Sequence, residues 1–168
     1  MFAQLDTKSV YSFMDSVVDL NSYVARAKEL GYQALGLMDR DNLYAAYHFA
    51  QLASRNGLRP LIGMEANLFY EGRKIPFRLL AKNNQGYKNL MKLATELSSG
   101  QREFTAFSDY LNASALILPS EDWEPGMTLG SEVFIGVRPE DAGKEFDYPV
   151  VPLHTVRYFE NADRSTIQ

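Results

Sequence analysis

The chain has 168 residues, the length of one domain, and its 46% hydrophobic and 12% aromatic content is enough for a packed core. It contains no cysteine, which excludes a disulfide framework, a thiolate nucleophile and a zinc–thiolate centre. A formal net charge of −4 argues against non-specific nucleic-acid binding, and two histidines are too few for a metal site built mainly of imidazoles.

The chain starts with a predicted strand, residues 3–6, instead of a charged-then-apolar leader. No apolar run approaches the roughly 18 residues that would span a bilayer. We therefore expect a cytoplasmic protein with no membrane contact.

Start and stop signals divide the first half into alternating elements. A helical stripe over residues 20–30 has Asp19 or Asn21 as its N-cap and Gly31 after its end. Asn42 is predicted to cap a second helix that ends before Gly57. The third helix is predicted to start at Asn83 or Asn84 and to end before Gly100. Apolar runs predict strands at residues 34–38, 60–70 and 75–81, with a turn at residues 70–73.

In the second half of the chain, the sequence predicts a short helix at residues 104–112 and short buried strands at residues 115–119, 133–137 and 149–153. Alternating strands and helices are typical of a parallel α/β fold. Seven strand candidates favour a distorted, TIM-like βα barrel over an open sheet, so we predict a single domain over residues 1–168. A helix that starts near residue 161 and is not completed indicates a piece of a longer protein.

Carboxylates are predicted at the strand ends, where barrels carry their functional residues. They are Asp6, Asp39 and Glu65. Clustered carboxylates suit Mg²⁺, but Lys8 and Arg40 lie beside two of them and Arg157 lies at a later strand end. A fixed cation competes with a metal ion for the same negative field, which favours structural salt bridges over a metal site.

The two histidines give little support to catalysis. His48 falls on the predicted second helix, where a surface position is expected. His154 follows the last strand and is a candidate site residue, but an isolated histidine is more often structural. A barrel enzyme that uses Glu65 and His154 remains an alternative on strand-end placement alone.

Four ordered segments resemble one family. They are FAQLDTKSVYSFMDS, RAKELGYQALGLMDRDNLYAAYHF, GLRPLIGMEANL and RLLAKNNQGYKNLMKL. These segments resemble the N-terminal PHP (polymerase and histidinol phosphatase) domain of the bacterial DNA polymerase III alpha subunit, of the low-GC Gram-positive type. The resemblance is strong over residues 2–95, loose over residues 100–145, and returns weakly in YPVVPLHTVRYFENAD.

The resemblance implies a distorted seven-stranded barrel with metal ligands at its C-terminal face. Metal-competent members carry histidines or carboxylates at several positions of that face. In this chain the corresponding positions are Gln4, Asp6, Lys8, Asp39, Arg40, Glu65, Pro76, His154 and Arg157. Two family carboxylates, Asp39 and Glu65, are kept, and most imidazole positions are lost, some of them to cations.

These losses imply that the domain binds no catalytic metal, carries no cofactor and hydrolyses nothing. We expect Lys8, Arg40 and Arg157 to supply positive charge where metals would lie, and to pair with Asp6, Asp39 and Glu65.

The resemblance also implies a structural domain that packs against the remaining polymerase domains. Other replisome subunits are possible partners, and DNA is contacted through the full-length protein. The polymerase's own catalytic carboxylates would follow Gln168. The alternatives are a free-standing metal-dependent PHP phosphoesterase and a proofreading 3′–5′ exonuclease.

Overall fold

The computed structural model describes residues 3–12, 15–130, 132–141 and 143–157. The strands are Ala3–Gln4 (β1), Asp6–Thr7 (β2), Ala34–Arg40 (β3), Arg59–Tyr70 (β4), Arg73–Ala81 (β5), Ser114–Pro119 (β6), Val133–Val137 (β7), Val150–Pro152 (β8) and Thr155–Val156 (β9). The α-helices are Leu20–Glu29 (α1), Ala46–Arg55 (α2) and Asn84–Ser98 (α3). The incomplete helix predicted from residue 161 lies outside the described residues.

Seven strands form one curled sheet in the order β1-β3-β4-β5-β6-β7-β8. The strand β2 continues directly from β1 and pairs in parallel with β9, which follows β8. The N-terminal segment therefore hydrogen-bonds to β3 on one side and to the last segment on the other. The predicted α/β fold and its distorted seven-stranded barrel are confirmed.

The sheet is mixed, although alternating strands and helices predicted a parallel one. Strand β5 is antiparallel to both of its neighbours, β4 and β6. The direction of β5 relative to β4 follows from the predicted turn at residues 70–73, where Glu71 and Gly72 have φ angles of 49° and 79°. Two such residues form a two-residue hairpin loop, which joins only antiparallel strands.

Two of the predicted helix caps are confirmed and one is wrong. Asp19 accepts a hydrogen bond from the Ser22 amide at 2.9 Å, and Asn83 accepts one from the Gly86 amide at 3.0 Å. The second helix begins at Ala46 and not at Asn42. The Asn42 side chain instead accepts from the Tyr44 amide at 3.1 Å, an Asx turn that delays the helix.

The core lies in layers around the sheet. A large apolar cluster packs the outer face of β4–β7 against α3 and the 3-10 segment Phe104–Leu111, which replaces the short helix predicted there. A second cluster joins α1, α2 and β3. A small cluster around Met38, Ile117 and Leu153 fills the barrel interior. Within the described residues, no helix is long and apolar enough to cross a membrane.

Candidate functional site

Strand register places charged residues side by side at the mouth of the barrel. Arg40 of β3 lies opposite Glu65 of β4, and Glu65 lies opposite Arg78 of β5. Directly paired residues on neighbouring strands point to the same face of a sheet. Asp6 of β2 lies opposite Thr155 of β9 and brings the N-terminal segment to the same place.

Lys8 lies at the centre of this site and is completely buried. Its Nζ donates hydrogen bonds to Asp6 Oδ1 at 2.6 Å and to the Met38 carbonyl at 2.7 Å, and lies 3.1 Å from Glu65 Oε2. An ammonium group has three protons to donate. Each of them therefore has an oxygen within reach, and the predicted pairing of Lys8 with Asp6 and Glu65 is confirmed.

Arg78 is a second buried cation of the site, and sequence reasoning missed it. Its Nε donates to Asp6 Oδ2 at 3.1 Å, its Nη1 donates to the Pro76 carbonyl at 2.6 Å, and its Nη2 lies 3.4 Å from Glu65 Oε2. A signal for it was present in the sequence. Glu65 and Arg78 are equally far from the hairpin loop, so a two-residue loop at 71–72 makes them partners.

Arg40 connects the buried ion pairs of the site to Asp15 near the surface. Its Nε donates to Glu65 Oε1 at 3.0 Å, as predicted, and its Nη2 donates to Asp15 Oδ2 at 2.9 Å. Arg157 Nε lies 3.0 Å from Asp15 Oδ1. Arg157 therefore pairs with Asp15 and not with the buried carboxylates that we expected.

Asp39 is held by neutral donors instead of the expected cation. The Ser9 amide and the Ser9 and Ser12 hydroxyls each donate to its carboxylate at 2.7 Å. Asp39 is almost completely buried, and no ion pair within 4.0 Å joins it to another described residue. Several donated hydrogen bonds stabilise a carboxylate without a countercharge.

The remaining predicted positions surround the charges. The Gln4 side-chain amide donates to the His154 carbonyl at 2.6 Å and to the Asp6 carbonyl at 3.1 Å, which fastens the first strand segment to the last. The His154 side chain is exposed. Pro76 lies in β5, and its carbonyl contacts Arg78. His48 is exposed on α2, as expected.

The cations keep the two central carboxyls ionised. Burial raises the pKa of Asp6, but the charges of Lys8 and Arg78 outweigh it and hold that pKa below its ordinary value. The pKa of Glu65 is lowered in the same way, since Lys8, Arg78 and the hydrogen bond from Arg40 together exceed the effect of burial. Both groups therefore carry a negative charge at neutral pH.

The donor set does not fit a catalytic metal ion. Lys8 Nζ lies between the Asp6 and Glu65 carboxylates. It contacts the oxygens that a divalent cation would need as ligands. An ammonium or guanidinium group cannot serve as a metal ligand. In the described part of the chain, no group of three or more His, Cys, Asp or Glu side chains is arranged to hold a metal ion.

A separate barrel enzyme based on Glu65 and His154 gains no support from this geometry. Glu65 is almost completely buried, and Lys8, Arg40 and Arg78 surround its carboxylate. Its oxygens are committed to these cations, so it is not free to act as a general base.

The PHP domain family model matches residues 4–124. The DNA polymerase III subunit alpha of Streptococcus pyogenes serotype M1 is 44% identical over 169 residues, which is 99% of this chain and 16% of that protein. The Bacillus subtilis subunit is 36% identical over 101 residues, 58% of this chain and 9% of that protein.

A solved amidohydrolase from Chromobacterium violaceum has a TM-score of 0.53 at 10% identity, and the match covers 73% of this chain and 69% of that one. This likeness shows the fold alone. The chain spans 16% of the length of the Streptococcus pyogenes subunit. With the family model covering most of its length, the chain belongs to the PHP domain family.

Proposed function

We propose that this chain is the PHP domain of a DNA polymerase III alpha subunit, and that it works there as a structural domain without hydrolytic activity. The observation that supports this most strongly is Lys8, whose ammonium group lies between the Asp6 and Glu65 carboxylates. A buried lysine in that position takes the place of a metal ion.

The occupied oxygens support the same proposal. Asp6 Oδ1 accepts from Lys8, and Asp6 Oδ2 accepts from Arg78 and from the Thr155 hydroxyl at 2.6 Å. Metal-assisted hydrolysis needs ions with an open position for water or substrate. Neither central carboxylate has a free oxygen with which to bind such an ion, because each already accepts from or pairs with two or more donors.

The work of the longer protein is part of the proposal. The identity of 44% to a polymerase subunit six times as long favours a role in DNA replication, with nucleotidyl transfer carried out by other domains. The first partners of the domain are then the remaining domains of the same chain. Contacts with other replisome subunits, and with DNA through the full-length protein, belong to the same proposal.

A heat-inactivation experiment on the full-length polymerase tests this role. We expect the double substitution Lys8→Met and Arg40→Met to leave primer extension near the wild-type rate at low temperature, and to shorten the half-life of activity on heating several-fold. The matched control is Lys88→Met with Arg55→Met, which removes two exposed cations. Equal half-lives for the two variants would contradict a structural role.

Hydrolysis is measured on the same preparations. We expect no Mn²⁺-dependent cleavage of a chromogenic phosphate ester and no 3′–5′ removal of nucleotides that depends on this domain. Turnover that needs Mn²⁺ and is lost in Asp6→Asn would favour a phosphoesterase or a proofreading exonuclease instead.

A further inference from the structure

A groove of about 690 Å³ lies on the outer face of the sheet, away from the charged mouth. Its sides are the 3-10 segment Phe104–Leu111 and, opposite it, residues 128–130 with Glu132, and its floor is formed by apolar side chains of β5, β6 and β7. They are Leu79, Leu116 and Val133. The Thr128 amide donates to the hydroxyl of Tyr70, the last residue of β4, at 3.0 Å and ties one side of the groove to that strand.

This groove lies where a βα barrel ordinarily carries a covering helix. Between β6 and β7 the described residues form only a short 3-10 turn, Ser120–Asp122, and extended loop. Among the described residues no helix lies over β6 there, although Ser114, Leu116 and Leu118 themselves are almost completely buried. A groove of this volume with an apolar floor and a few polar groups on its rim is typical of a binding site.

The rim of the groove is acidic. Glu71, Glu103 and Glu132 line it and are exposed, and among the described lining residues there is no Lys, Arg or His. Glu132 pairs with Lys82 at 2.6 Å. No ion pair joins Glu71 or Glu103 to another described residue. Two uncompensated carboxylates beside an apolar floor favour an occupant that is both apolar and basic.

A buried hydroxyl in the groove supports an occupant independently. Ser114 lies on the same face of β6 as Leu116 and lines the groove, with only 5% of its surface exposed. Its Oγ has no hydrogen-bond partner among the described residues. Buried hydroxyls are nearly always hydrogen-bonded in native proteins. A polar atom of a docked segment would supply the bond.

We propose that this groove binds a segment of the same polymerase chain, outside these 168 residues, in which apolar residues flank a lysine or arginine. The inference rests on the proposed function, since the chain spans only 16% of the Streptococcus pyogenes subunit. A tethered segment also has a high effective concentration, which favours it over a separate protein. Its apolar side chains enter the groove above the floor residues Leu116 and Val133, and its cation pairs with Glu71 and Glu103.

Photo-crosslinking in the full-length chain tests the proposal. A benzoylphenylalanine at Thr105, which is exposed on the rim, is compared with one at Lys28, which is exposed on α1. We expect position 105 to crosslink within the chain to a segment beyond these 168 residues that contains a lysine or arginine, at a yield several-fold above position 28. Mixing isotopically labelled and unlabelled chains separates crosslinks within one chain from those between copies.

A charge reversal makes the test specific to the rim. We expect Glu103→Lys to lower the yield from position 105 several-fold, and Glu145→Lys, an equal charge change outside the groove, to leave it unchanged. Crosslinks only between copies or to other proteins, or a yield no higher than at position 28, would overturn the proposal. The preparation must extend a primer, so that a missing crosslink counts against docking and not against the proposed function.

Discussion

Lys8 carries its charge in the interior of the protein, with no exposed surface. An isolated ammonium group in a protein interior is strongly unfavourable, and this one is tolerated because three oxygens surround it. A buried ion pair adds little stability compared with an apolar pair. Removing one partner of the pair is destabilising, however, because the other partner then remains as a buried charge without compensation.

Removal of the Lys8 charge therefore has a large effect on stability. We expect Lys8→Met to lower the free energy of unfolding by about 3–5 kcal/mol, since Asp6 and Glu65 lose a shared partner. Urea denaturation followed by circular dichroism measures it. The control Lys88→Met removes an exposed charge and should stay within about 0.5 kcal/mol of the wild type. A loss below about 1 kcal/mol for Lys8→Met would mean that Arg78 and Arg40 alone compensate the Asp6 and Glu65 carboxylates, and would contradict the importance of Lys8.

At the scale of single residues, the sequence predicted part of the site. Lys8, Arg40, Asp6 and Glu65 were predicted to meet, because they stand at positions that correspond to metal ligands in the family that the chain resembles. The neutral donors to Asp39 were not predicted, since the Ser9 amide and hydroxyl reach it only through the local path of the loop after β2.

At the scale of the elements, close backbone packing governs the start of the barrel. A Cβ atom added to Gly36 in β3 would lie 2.1 Å from the Leu5 carbonyl oxygen. Backbone atoms cannot move aside as a flexible side chain does. Glycine at this position therefore lets the segment between β1 and β2 approach β3.

We expect Gly36→Ala to destabilise the fold by more than about 3 kcal/mol, because the strands must separate to admit the methyl group. The matched control is Gly57→Ala, where φ is +76° and nothing lies near the added Cβ. That change carries only the cost of a left-handed backbone, about 1–2 kcal/mol. Thermal unfolding compares the two, and equal losses would contradict the importance of the close approach.

The sequence predicted the ends of helices and strands correctly where a cap or a tight turn determines them. Asp19, Asn83 and the loop at 71–72 were predicted because caps and tight turns depend on a few neighbouring residues. The late start of α2 was not predicted, because an Asn before a helix serves equally well as a cap or as an Asx turn. Strand direction beyond the hairpin depends on contacts distant in sequence.

At the scale of the whole molecule, charge balance links stability to pH. The described site contains four carboxylates and four cations, so it is close to neutral overall. The pKa of Asp6 and that of Glu65 are lower in the folded chain than their ordinary values. The unfolded chain consequently binds more protons in acid, and folding stability falls there.

We expect this contribution to be essentially complete above about pH 5.5, one unit over the ordinary glutamate pKa of 4.5, and to be lost as the pH falls through the lower folded-state pKa of Glu65. Melting temperatures between neutral pH and about pH 3 measure it. The variant Glu65→Gln should show a shallower fall in acid than the wild type. Parallel curves would show that Glu65 titrates normally in the folded chain.

The central claim is that buried cations lie where metal ions would bind. Its most direct test is an anomalous-difference map from crystals of this chain soaked in Mn²⁺ and recorded at the manganese edge. We expect no peak among Asp6, Asp39 and Glu65, and ordinary density for Lys8 Nζ between the Asp6 and Glu65 carboxylates. A manganese peak coordinated by Asp6 and Glu65, with Lys8 displaced, would contradict the claim.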